Sequence, residues 1–95
     1  MIMNTWPFSD PPNVAVFTSK TIIDKSDWIQ TVTHDEGDGA WQFHPHKGTD
    51  ESEAKVVSLK TITQIDPTVL SLANLPLGWT AWRNAKDGQW KREKV

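Results

Sequence analysis

Apolar and polar residues alternate in short runs along the first half of the chain, and the period of that alternation changes near residue 59. The runs N-V-A-V-F-T over Asn13–Thr18, W-I-Q-T-V-T over Trp28–Thr33, A-W-Q-F-H over Ala40–His44 and K-V-V-S-L over Lys55–Leu59 predict four strands. Their β-branched and aromatic residues suit a pleated, half-buried surface. From Leu59 onward Ile62, Ile65, Val69, Leu70 and Leu72 follow at helical spacing, with Asp66-Pro67 in the middle. Asp before Pro is a helix-start signal, because the carboxylate accepts from free N–H groups while Pro occupies the first turn. The pattern predicts a short helix or turn near Ser58–Gln64 and a second helix over Pro67–Ala73, ended by Asn74–Gly78. Two last strands, Trp79–Arg83 and Gln89–Glu93, are expected to form a hairpin with Trp82 opposite Trp90. Thr21–Ile23 either extends the first strand or makes a turn. Pro7, Pro11 and Pro12 make residues 1–12 an irregular arm, with Trp6 and Phe8 tucked against the body. Residues 13–95 then form one α+β domain, an antiparallel sheet of about five to six strands built from hairpins and packed by one or two short helices.

Between the second and third strands lies H-D-E-G-D-G, a turn signal with two glycines available for positive φ. If this hairpin closes tightly, period-2 alternation places Trp28, Val32, Trp41 and Phe43 on one core face, with His34, Gln42 and His44 toward water or the rim. Asp38-Gly39-Ala40-Trp41 and Asp87-Gly88-Gln89-Trp90 share a D-G-x-W pattern, which reads as two hairpins meeting the same turn requirement. The residues expected to hold the structure are Trp28, Trp41, Phe43, Asp66, Pro67, Gly78, Trp79, Trp82 and Trp90, with Trp41 and Trp79 largely buried.

Composition narrows the class. A chain of 95 residues supports one core and little spare volume for a deep cavity. Only 37% of it is hydrophobic, but six Trp and three Phe are present, and each buried aromatic removes roughly 150–250 Å² from water. With no cysteine there are no disulfides, thiolate metal sites or Cys nucleophiles. The net charge is -2 and Glu93 interrupts the only basic cluster, Lys91-Arg92 and Lys94, so nucleic acid is not an expected partner. No apolar run has the length of a membrane span or of a signal peptide, and the expected compartment is the cytoplasm.

Candidate chemistry is sparse. His44-Pro45-His46 has a metal-ligand spacing, with His34 across the hairpin and Asp35, Glu36 and Asp38 nearby, which makes a small metal-binding or sensing domain the alternative function. The preferred reading is that these imidazoles are solvated, with no metal and no cofactor. The Asp35–Asp38 stretch lacks the bidentate Glu of a calcium loop. No carboxylate pair stands at a catalytic spacing, and no nucleophile elbow or phosphate-binding glycine loop is present, so no enzyme is expected. Leu75-Pro76-Leu77-Gly78-Trp79 resembles the start of a WW domain, but the chain has no Tyr and no third strand there. The segments Asp35, Glu36, Asp38 and Asp50, Glu51, Glu53 carry six of the twelve acidic residues and are the candidate protein-binding patch, against the plainer reading of solvated loops. An exposed strand edge would allow a weak homodimer of an otherwise monomeric chain.

Over about 70 residues the order V-A-V-F-T-S-K, D-G-A-W-Q-F, I-T-Q-I-D-P-T-V-L-S-L and L-P-L-G-W-T-A-W-R resembles a family of small bacterial domains grouped with the immunity proteins of polymorphic toxin systems. Asp38, Trp41, Phe43, Asp66, Pro67, Leu70, Pro76, Gly78 and Arg83 fall on that family's recurrent positions. The resemblance implies a non-enzymatic protein-binding domain, an immunity-type inhibitor that masks a toxin's active surface.

Overall fold

A computed structural model describes residues 6–48 and 50–95. Along the chain come β1 (Ala15–Ser19), α1 (Lys20–Ile23), β2 (Ile29–His34), β3 (Trp41–Pro45), a 3-10 turn (Glu51–Glu53), β4 (Ala54–Ser58), α2 (Leu59–Ile65), a 3-10 helix (Pro67–Leu72), β5 (Trp79–Trp82) and β6 (Lys91–Lys94). The six strands make one sheet in the order β4-β1-β3-β2-β5-β6. It is antiparallel except where β3 slots between β1 and β2 and runs parallel to β1. The fold is α+β, a mostly antiparallel six-stranded sheet with short helices. Of the expected arm, residues 1–5 lie outside the described residues, while Phe8 is buried and Trp6 packs on the core.

Local chemistry explains the short helical pieces. Ser19 ends β1 and caps α1, its hydroxyl accepting from the Thr21 N–H, so Thr21–Ile23 is a helical turn and not more strand. Ser58 caps α2 through the Thr61 N–H. Asp66 caps the next segment with Pro67 in its first turn, as the sequence predicts, but this segment is 3-10 and not α-helical. Segments this short do not stand alone in water and depend on their packed faces. Ile22, Leu59, Ile62, Val69 and Leu72 supply those faces, and with Leu75 from the following loop they are fully buried in one core with the sheet's Val16, Val32, Trp41, Phe43 and Ala81.

Three expectations are corrected. First, the β2–β3 register shifts between Ile29 and Thr31. This bulge puts Ile29 and Val32, three residues apart, on the same buried face. Trp28 therefore leaves the core face and stacks on His46 at 4.6 Å between centroids. His34 moves the other way: it pairs with Trp41 and stacks on its indole at 3.9 Å. Second, β6 begins after Trp90, so Trp82 opposes Lys91 and not Trp90. Third, the two D-G-x-W turns differ. Gly39 takes φ +73°, whereas Gly88 has no positive φ, and a Cβ there would meet the Ala85 backbone at 3.1 Å. Of the two tryptophans expected to be largely buried, Trp41 is 2% exposed and Trp79 is half-buried against the core's margin, as is Trp90.

Directly after β5, Arg83 is 1% exposed. Its Nη2 pairs with Asp66 Oδ2 at 2.5 Å, Nε donates to Ile29 O at 2.9 Å and Nη1 donates to Thr68 Oγ1 at 3.1 Å. The guanidinium carbon lies 4.2 Å from the Trp90 ring centroid. One buried cation thus ties β5, the bulged start of β2 and the 3-10 helix together. Its role is structural, since every donor direction it uses ends on the protein itself.

Candidate protein-binding surfaces

The buried residues of α1, α2 and the Pro67–Leu72 helix form one core with those of a single face of the sheet. On the other side the pairing registers align Val56, Phe17, Gln42, Thr33, Thr80 and Glu93 in one row across all six strands. His44, Thr31, Trp82 and Lys91 form the neighbouring row. Among the described residues no helix covers these rows, and Phe17 is 48% and Val56 60% exposed. Antiparallel sheets commonly leave one face to solvent, and that face is then polar. Here the centre follows the rule with threonines and an amide, but the β4–β1 side is apolar.

Beside Phe17 the strands open into a cleft of about 220 Å³ lined also by Gln42, His44, Pro45 and Ala54. Small-molecule sites run to roughly 300–1,000 Å³, so a volume of this size suits a single side chain of a partner better than a free ligand. Burial holds the His44 imidazole below its ordinary pKa. The neutral ring is the form that suits this apolar wall.

The acidic residues picked out from the sequence divide into two sites. Asp35, Glu36 and Asp38 occupy the turn that precedes β3, and Asp50, Glu51 and Glu53 follow its far end. The single patch inferred from composition is therefore two patches at opposite ends of β3. Part of each is used locally: Asp35 accepts from the Gly37 N–H at 2.7 Å, Asp38 from the Ala40 N–H at 2.9 Å and Asp50 from the Ser52 N–H at 3.0 Å. The bonds from Ser52 hold the Asp50 carboxyl below the usual carboxylate range. The 35–38 turn adjoins a second cleft, of about 380 Å³, with Thr33, His34, Asp35, Glu36, Gln42, Gly78, Trp79 and Val95 along it. Thr33 and Gln42 are shared with the open sheet face, so cleft and face are continuous.

The histidines have three separate surroundings. His34 Nδ1–H donates to Leu75 O at 2.7 Å, His44 stands on the open face and His46 lies on Trp28. Among the described residues no group of three or more His, Asp or Glu side chains is placed to hold a metal ion. Nor is any helix among them long and apolar enough to cross a membrane. Sequence reasoning missed Phe17 and Val56, although each breaks an alternating strand pattern with an extra apolar residue, V-F and V-V. Compared with known proteins, the chain matches no family model, no curated protein and no solved structure.

Proposed function

We propose that this chain is a non-enzymatic protein-binding domain that docks a partner on its uncovered sheet face. One observation carries the reading: Phe17 and Val56, adjacent on β1 and β4, expose large apolar side chains beside a cleft sized for one more. Neither belongs to the buried core, which lies on the opposite face. Exposed apolar groups with polar neighbours mark interaction sites, and affinity concentrates in a few such anchors. The acidic turn at the edge of the face favours a basic partner and would raise its association rate. An immunity-type inhibitor acting on a toxin in the cytoplasm is the specific form of this function, and the resemblance of the D-P-T-V-L and L-P-L-G-W segments supports it.

Capture from a lysate of the native host, with wild-type and Phe17→Ser/Val56→Ser protein as paired baits, tests the proposal. The expected result is a set of proteins retained by the wild type and lost by the double variant, with both baits equally folded by circular dichroism. Equal retention by the two baits would refute it.

A further inference from the structure

The cleft between the 35–38 turn and β5 has a chemistry of its own. Glu36 does not wave freely in solvent. Its side chain lies against Gly78, where an added Cβ would come within 3.1 Å of Glu36 Oε1. Gly78 sits at φ +81° and donates its N–H to His34 O at 2.7 Å, which fixes the backbone that Glu36 leans on. Only a residue without a side chain meets both requirements. Asp35 stands beside it with one oxygen on Gly37. Among the described residues the one ion pair joins Arg83 to Asp66, so neither cleft carboxylate is neutralised by a cation of those residues. Trp79 lines the cleft with its indole, and Thr33 and Gln42 contribute a hydroxyl and an amide. His34 donates its Nδ1–H to Leu75 O, which holds its ring at the edge of the cleft.

This lining is rich in acceptors, carries two unpaired negative charges and includes one aromatic surface. A planar cation with several N–H donors fits it better than a point charge. A guanidinium stacks on an indole and presents a fork of donors to a carboxylate, whereas an ammonium is compact and strongly hydrated. We infer that this cleft receives an arginine side chain of the protein partner, held between Glu36 and Trp79. The inference rests on the protein-binding reading and adds to it the residue type that the partner presents at the acidic margin.

The test is an NMR titration of the intact chain with N-acetyl-arginine-methylamide, which offers the side chain without free termini. Saturable shifts are expected at the Trp79 indole N–H and at the Gly78, Thr33 and Gln42 amides, with the lysine analogue weaker. Glu36→Gln should weaken binding by about tenfold, the effect of losing one charge-assisted hydrogen bond. Glu51→Gln, in the other acidic loop, should change nothing. The inference is overturned by an absence of saturable shifts in the cleft, by an unchanged response in Glu36→Gln, or by equal weakening in Glu51→Gln, which would mean diffuse charge attraction. Binding of free arginine without binding of the blocked form would also overturn it, in favour of a small-molecule ligand. If the cleft fails while the Phe17→Ser/Val56→Ser bait still loses its proteins, the protein-binding reading stands without it.

Discussion

The two faces of one sheet have been put to different uses. On β1, Val16 is fully buried and Phe17, the next residue, is half exposed; on β3, Phe43 is buried and Gln42 lies in the outer row with Phe17. The strands are the same and their alternation is the same. What differs is whether helices come to rest on them. On the closed face apolar area leaves water and provides the main favourable term for folding. On the open face two large apolar groups remain wet at positions where threonine, the choice in the same row on β2 and β5, would serve solubility better. A sheet stabilised from one side leaves its other side free to carry residues selected for contact with something else.

Four outcomes would break or sharpen this comparison, and the largest belongs to the closed side. Asp66→Ala should cost about 3–5 kcal/mol, because it leaves the Arg83 guanidinium buried without its counter-charge. The pair Asp66→Ala/Arg83→Met should recover much of that loss in urea denaturation. If Asp66→Ala alone is nearly neutral, Arg83 does not anchor β5 as described.

A smaller, pH-dependent effect belongs to the open face. Burial lowers the His44 pKa in the folded chain, so below the ordinary imidazole value the unfolded chain binds the proton more readily. Stability is then highest with the ring neutral and falls as pH drops from the unfolded-state value toward the lower folded one. The urea midpoint should decrease between about pH 7 and pH 5, and His44→Gln should reduce that decrease. Identical pH profiles for both proteins would contradict it.

The smallest effect is expected in the turn. Neutralising Asp35, Glu36 and Asp38 to amides should change stability by less than about 0.5 kcal/mol, as exposed substitutions usually do. A larger loss would show that the turn holds the β2–β3 hairpin together instead of standing ready for a partner.

How far these features are legible in the sequence follows from the range of the forces involved. Local ones are readable: the Asp66-Pro67 start, the Ser58 side of α2 and the alternation of β3 all depend on neighbours a few residues away. Features set by distant partners are not. The bulge that turns Trp28 out of the core depends on where β3 pairs with β2. The Arg83–Asp66 pair joins residues seventeen apart, and the local pattern around Asp66 marks it as a cap without pointing to Arg83. Composition joins the acidic residues into one patch, and β3 separates them. The open face itself is invisible in one dimension, since V-A-V-F-T reads the same whether a helix covers Phe17 or not.

The most direct test of the division between the faces is one substitution made twice. Phe43→Ala and Phe17→Ala remove the same side chain from adjacent strands, one facing the helices and one facing solvent. Equilibrium denaturation should show a loss of about 3–5 kcal/mol for Phe43→Ala and less than about 1 kcal/mol for Phe17→Ala. Comparable losses in the two variants would mean that Phe17 is needed for folding, and the open face could no longer be read as a surface kept free for a partner.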